Sequence, residues 1–287
     1  MRRWLELRVR DRDAAEPSPL LVEGLIALGA RAAEEVDGWY VTAVEEPSDP
    51  EAFLAETARS LRALTGSDAL EIETAWRAHE DWVALGTRGL APRWVTERIL
   101  VRPSWTASPA ERPAVEIVID PGMAFGTAEH GTTRGCLRLL DRTVRPGDTI
   151  LDVGAGSGIL AIAAARLGAE QVTAIEADAL ACEAMRENVA HNGVGERVRC
   201  LEKMVGPEEL ARMGPVSGVV ANIESGPLTA LMDGFAGALR RGGWLILSGI
   251  LEDEWPGVRG RAERSGFRVR EVDGEGEWRS ALLTREA

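Results

Sequence analysis

From Val115 onward the chain alternates short apolar runs with amphipathic stretches. VEIVID leads into a helical period from Thr132 to Arg142. A strand follows at Thr149 to Val153, then a helix from Ile159 to Leu167 and a strand closing at Glu176. ALACEAMRENVAHNG reads as a helix stopped by Asn192-Gly193. RVRCLE, GVVANI, WLILSGI, FRVREV and WRSALLT add strands, with helical segments around Pro227 to Leu239 and Asp253 to Ser265. Such alternation predicts a doubly wound, largely parallel sheet, because parallel neighbours need crossovers long enough to hold a helix. FRVREV and WRSALLT are joined only by DGEGE, Asp273 to Glu277. That link is too short for a crossover, so this last pair is expected to be antiparallel.

The first 77 residues have a different texture. WLELRV alternates as a strand, and LLVEGLIALGA carries a helical apolar face. RAAEEV and WYVTAV flank Asp37-Gly38, a two-residue hairpin signal. Pro50 to Gly66 reads as an amphipathic helix capped by Ser48 or Asp49, and ALEIETAW returns to strand. Strand, helix, strand, strand, helix, strand is the split βαβ, ferredoxin-like order. The expected organisation is a ferredoxin-like domain at 1–77, a linker at 78–113 and a second domain at 114–287. No glycine loop, nucleophile or acidic pair stands out in the first domain, which points to recognition rather than catalysis.

At 287 residues the chain can hold two domains of ordinary size. Its longest wholly apolar run, Ile159 to Ala165, falls far short of a membrane span. The start, MRRWLELRVRDRD, has no apolar centre and so is no secretory signal, which makes the cytoplasm the expected location. Cys136, Cys182 and Cys200 form neither a disulfide framework nor a metal-ligand spacing. A formal charge of −13 argues against direct nucleic-acid binding and is compatible with a basic protein partner. The nine tryptophans are scattered, and most are expected in the core. A monomer is the expected state.

The densest chemical signal is LDVGAGSGILAIAAARLGAEQVTAIEAD, Leu151 to Asp178. It reads as strand, glycine turn, helix, strand and terminal acid, a nucleotide-binding half-site. Gly154, Gly156 and Gly158 allow a sharp turn and close backbone approach, and Glu176 can accept both hydroxyls of a ribose. Ile159 stands where the dinucleotide fingerprint needs its third glycine, so a pyrophosphate site is disfavoured. S-adenosylmethionine (AdoMet), with a ribose and no phosphate, suits the shorter turn better than NAD(P). A turn that merely packs helix on strand would leave Glu176 without a reason. A terminal antiparallel pair on a parallel sheet is also a feature of class I methyltransferases.

IDPGMAFGTAEHGTTRGCLRLL, Ile119 to Leu140, precedes the half-site as a glycine-rich loop, with Thr132 or Thr133 able to cap the following helix. With VVANIESGPL, Val219 to Leu228, these motifs resemble the PrmA-type ribosomal protein methyltransferases. DPGMAFGT is the most specific part, and the resemblance covers the whole catalytic domain. It implies a class I AdoMet-dependent methyltransferase: a Rossmann-like doubly wound sheet with an antiparallel last strand, preceded by a small ferredoxin-like α+β domain. The implied activity is methyl transfer to lysine and α-amino groups of a large-subunit stalk-base ribosomal protein. Carried onto matching positions, the resemblance implies cofactor contacts at Thr133, Gly154, Gly156, Glu176 and Asn222. Asn222 would also orient the acceptor nitrogen, and His130 would accept a proton or serve as an orienting group. Thr133 as a plain helix cap, Asn222 as a loop amide and His130 in a structural hydrogen-bonding role are the alternatives.

Departures from the family pattern bear on the substrate. Ala128, Glu129 and Gly131 stand where the family has Gly, Thr and Pro, the usual Asp is Glu176, and NILAGPL has become NIESGPL with Glu224 and Ser225. Glu129 and Glu224 each add an acid on the expected acceptor side, able to attract an ammonium or to mark a different substrate. Another protein or a small amine is therefore the alternative acceptor, and an AdoMet-binding recognition protein without transfer is the non-enzyme alternative.

Overall fold

The computed structural model describes residues 3–12, 21, 24–25, 28, 34–36, 38–47, 49–67, 69–78, 91–110, 112–120 and 128–286. Two compact units result, Met1–Arg88 and Gly89–Ala287.

In the first unit β1 (Arg3–Asp11), β2 (Glu34–Val36), β3 (Trp39–Glu45) and β4 (Leu70–Ala78) form an antiparallel sheet in the order β2-β3-β1-β4. That is the strand order of a ferredoxin-like fold. Val36 pairs with Trp39, so the hairpin turns on two residues, and Gly38 takes a positive φ of 77°. Helix α1 (Pro50–Thr65) is capped by Asp49, whose Oδ1 accepts from the Ala52 N–H at 3.0 Å, and Gly66 ends it in the left-handed region. The helix expected from LLVEGLIALGA lies largely outside the described residues, as do residues 31–33 of RAAEEV. Leu21 and Leu25 are nevertheless buried with Leu5, Leu7, Val9 and Leu61 in this unit's core.

Residues expected as linker carry secondary structure instead. β5 (Arg93–Trp94), β6 (Ile99–Arg102) and β7 (Val115–Val118) form a three-stranded sheet belonging to the second unit. Ile99 and Val101 on β6 and Val115 and Ile117 on β7 are buried in the large core, which is why this passage is fixed rather than connecting. VEIVID is thus a strand, though not of the main sheet. Its alternate burial already marks a strand covered on one face.

The main sheet contains β8 (Thr149–Val153), β9 (Gln171–Glu176), β10 (Val198–Glu202), β11 (Val216–Asn222), β12 (Leu239–Leu251), β13 (Phe267–Glu275) and β14 (Trp278–Arg285). The order β10-β9-β8-β11-β12-β14-β13 reverses direction from β8, a doubly wound arrangement. β14 lies between β12 and β13 and pairs antiparallel to both, as the short DGEGE link requires. Helices α2 (Gly131–Thr143), α3 (Ile159–Leu167), α4 (Ala179–His191), α5 (Pro207–Arg212), α6 (Ser225–Ala238) and α7 (Trp255–Arg264) accompany the strands. Val216 to Ala221 are all buried, as befits a central strand covered on both faces. No described helix is long and apolar enough to cross a membrane.

Tryptophan burial departs from expectation. Trp39 and Trp244 are buried, whereas Trp76, Trp94 and Trp105 are exposed and Trp255 and Trp278 are intermediate. An indole can cover an apolar surface with one face and leave its other parts wet.

Candidate active site

The strand-to-helix turn after β8 is built by its glycines. Gly154 has a φ of 72°, and a Cβ there would lie 2.3 Å from Ile223 Cγ2. A side chain at that position would meet both backbone strain and a clash. The Gly154 and Ala155 N–H groups donate to the Ile175 carbonyl at 2.9 and 3.0 Å, pinning the turn to β9. Glu176, the last residue of β9, locks it from the side. Its Oε2 accepts from the Gly156 N–H at 2.9 Å, and Oε1 accepts from the N–H groups of Ala177 and Asp178 at 2.7 and 3.0 Å.

α2 forms the opposing wall. Its cap is His130 rather than either threonine: Nδ1 lies 2.7 Å from Thr132 Oγ1 and accepts weakly from the Thr132 N–H at 3.4 Å. Thr132 and Thr133 fall inside the first helical turn and are buried. A ring nitrogen two residues ahead reaches the N-terminal N–H groups as a carboxylate would. The imidazole meets the Trp278 ring edge-on, with centroids 4.8 Å apart. Burial, helped by the Arg134 guanidinium, holds the His130 pKa below its ordinary range against the opposing pull of Glu275 and Glu277. The ring is therefore neutral near pH 7. Thr133 faces Asn222 across the wall, where Asn222 Nδ2 donates to Thr133 Oγ1 at 3.4 Å.

His130, Thr133, Gly154, Gly156, Glu176 and Asn222 all line one cavity of about 610 Å³. That volume lies within the roughly 300–1,000 Å³ of small-molecule sites. The cavity also takes in Met204, Val205 and Trp278, which the motifs did not reveal. Their common signal is topological, since ligands of an open α/β sheet sit at the carboxyl ends of its strands. Lys203 to Val205 directly follow β10. Trp278 begins an antiparallel strand and pairs with Leu251 near the end of β12, so it reaches the same edge.

The two unusual acids separate here. Glu129 is paired with Arg93 at 2.9 Å, and its carbonyl accepts from Arg134 Nη1 at 2.5 Å. Glu224 is exposed, lines the cavity and leaves α6 without a side-chain cap. Among the described residues its carboxylate has no hydrogen-bond or ion-pair partner. Residues 121–127, most of the DPGMAFGT motif, lie outside the described residues.

A family profile described as ribosomal protein L11 methyltransferase (PrmA) matches residues 26–286. The chain is 42% identical over 230 residues to a ribosomal protein L11 methyltransferase of Pelotomaculum thermopropionicum, covering 78% of this chain and 72% of that one. With the Dechloromonas aromatica protein of the same description, identity is 38% over 254 residues, with coverage of 87% and 80%. The crystal structure of a ribosomal protein L11 methylase from Lactobacillus delbrueckii subsp. bulgaricus matches with a TM-score of 0.63 at 29% identity. It covers 68% of this chain and 99% of that one. A precorrin-6y C5,15-methyltransferase from Geobacter metallireducens, at a TM-score of 0.50 and 18% identity over 62% of this chain and all of that one, shares the fold alone.

Proposed function

The chain belongs to the ribosomal protein L11 methyltransferase (PrmA) family, and from that premise we propose that it transfers methyl groups from AdoMet to lysine and α-amino groups of ribosomal protein L11. The observation that carries the reading is the convergence of glycine turn, Glu176 and the Asn222–Thr133 pair on one cavity. The residues fit the cofactor: a backbone cradle that a side chain at Gly154 would disrupt, and a carboxylate at the end of β9 where a ribose is expected. Bound there, AdoMet supplies an electrophilic methyl group on a sulfonium.

Backbone N–H groups take three of the roughly four acceptor sites of the Glu176 carboxylate, both on Oε1 and one on Oε2, which leaves Oε2 to accept from a ribose hydroxyl. Asn222 commits Nδ2 to Thr133 and offers Oδ1 to the methionine ammonium. A lysine acceptor has to arrive neutral, and desolvation in the cavity lowers its pKa from the reference value near 10.4. His130 orients the acceptor as a neutral ring. With Nδ1 accepting from Thr132, the neutral ring carries its hydrogen on Nε2, which orients by donating a hydrogen bond. Most of the acceleration comes from holding nitrogen, methyl carbon and sulfur in line. The reaction is expected in the cytoplasm with a protein substrate and no direct nucleic-acid contact.

Glu224 favours a cationic acceptor generally, and so supports a second reading in which another protein or a small amine is methylated. Mass spectrometry of unmethylated L11 incubated with the protein and AdoMet distinguishes the two. Mass additions in steps of one methyl group, absent with Asn222→Ala, are the expected result. AdoMet binding without any addition to L11 would overturn the first reading and turn the search to other amines.

A further inference from the structure

Two buried asparagines one helical turn apart, Asn188 on α4 and Asn192 at its C-cap, reach beyond their own helix, though Asn192 Nδ2 also donates to the Asn188 carbonyl at 2.8 Å. Asn188 Nδ2 donates to the Ser157 carbonyl, inside the glycine turn, at 3.0 Å, and its Oδ1 accepts from the Asp120 N–H at 3.3 Å. Asn192 takes both sides of Val118, accepting from its N–H at 2.9 Å and donating to its carbonyl at 2.6 Å. Both side chains are about 2% exposed. Chemistry fixes the orientation of each amide, since each spans one N–H and one carbonyl.

The bonds matter because of what they join. β7 is not part of the seven-stranded sheet, so no main-sheet ladder sets the Val118–Asp120 segment against the turn after β8. Asn188 bridges the two directly. Ser157 lies between Gly156, which lines the cavity, and Gly158, the N-cap of α3. Asp120 lies at the end of the strand segment that precedes the motif leading to His130 and Thr133. The same segment is held again by the Ser104 N–H, which donates to Asp120 Oδ1 at 2.7 Å. Asn192 anchors Val118, and among the described residues its side chain makes no hydrogen bond to the glycine turn.

We infer that Asn188 is a positioning residue for AdoMet, setting the glycine turn against the Val118–Asp120 segment through one two-sided amide. This rests on the AdoMet reading of the cavity. An apolar side chain of similar size would remove the bonds to the Ser157 carbonyl and the Asp120 N–H, and with them this link between the turn and the Val118–Asp120 segment. The turn would then be free to shift against the segment.

Isothermal titration of AdoMet into the full chain tests this. Asn188→Leu is expected to weaken AdoMet binding about ten-fold or more, because small displacements of a binding frame are costly. At saturating AdoMet, kcat should stay within roughly two-fold of wild type, so that the loss appears in KM for AdoMet. Asn192→Leu supplies the control: it removes buried bonds from the same helix and lowers the melting temperature, yet leaves AdoMet affinity within about two-fold. Asn188→Asp, which keeps an acceptor for Asp120 but cannot donate to Ser157 when ionised, should weaken binding in the same direction and serves if the leucine variant does not fold. Unchanged affinity in both Asn188 variants, or an equal loss in Asn192→Leu, overturns the inference alone. A wild-type chain that does not bind AdoMet overturns the reading of the cavity and this inference with it.

Discussion

The sheets of the two units distribute their polar residues differently. In the first unit β1 alternates: Leu5, Leu7 and Val9 enter the core, while Arg8 and Arg10 lie on the opposite face and pair with Glu73 and Glu71. The Arg10 guanidinium also lies 4.3 Å from the Trp39 ring centroid. In the second unit β11 is buried at six successive positions, Val216 to Ala221. A sheet covered on both faces leaves no room along its strands for chemistry, so reactive groups are forced to strand ends and the turns beyond them. Gly154, Glu176, Asn222 and Trp278 all occupy such places. A sheet that buries one face in its core can carry ion pairs such as Arg8–Glu73 and Arg10–Glu71 on the other, which suits contact with a macromolecule better than enclosure of a small molecule.

The sharpest way to break this contrast is at the strand end. Gly154→Val combines a strained positive φ with a clash against Ile223, and is expected to lower AdoMet affinity on the order of 100-fold. Titration calorimetry that finds wild-type affinity would sink the strand-end account. Next in size is Leu7→Ala, which empties a fully buried position of the small core and should destabilise the first unit by about 2–5 kcal/mol. Calorimetric melting is expected to show that unit's transition lowered while AdoMet affinity holds and methylation of L11 declines. Loss of AdoMet binding in this variant would mean that the units do not divide the work.

The smallest effect concerns Asp152, fully buried on β8 and without a hydrogen-bond partner for either carboxyl oxygen among the described residues. Burial pushes its pKa up to about 7, reinforced by the charge on Glu176. The Ala161 N–H pulls the other way without meeting hydrogen-bond geometry. A raised folded-state pKa means that the folded chain keeps a proton the unfolded chain has lost. This contribution to stability is complete below the ordinary value of 3.8 and is lost as pH rises through about 7. Asp152→Asn should therefore gain on wild type in chemical denaturation between pH 4 and pH 8, roughly, with the gain levelling off above that. A stability difference that does not change with pH would show that Asp152 ionises without penalty.

Much of this was legible in the chain because the signals were local. A strand, three glycines, an apolar helix and a terminal acid lie within Leu151 to Asp178, and each forms where its pattern places it. The antiparallel last pair followed from one short link. What escaped was short or distant. Arg93–Trp94 is a two-residue strand with no period to read, and it turns an expected linker into part of a sheet. Glu129 is neutralised by Arg93, far upstream in sequence, so its difference in kind from Glu224 appears only in space. His130 displaced the threonines as cap because an imidazole can imitate a carboxylate at an N-terminus, which ordinary capping preferences do not emphasise.

The interior position of β14 bears on how the sheet is completed during synthesis. β13 precedes β14 in the chain, yet it joins the sheet only through β14, and β12 has the same neighbour on that side. Until Trp278–Arg285 leaves the ribosome, the growing chain carries an unpaired edge on β12 and an orphan strand beside it, the kind of exposed template that invites mispairing. The acids of that waiting strand, Glu271, Asp273 and Glu275, pair with Arg142, Arg138 and Arg134 on α2. An ionic ladder to the helix that closes the cavity gives β13 a mooring that does not depend on the strand still to come.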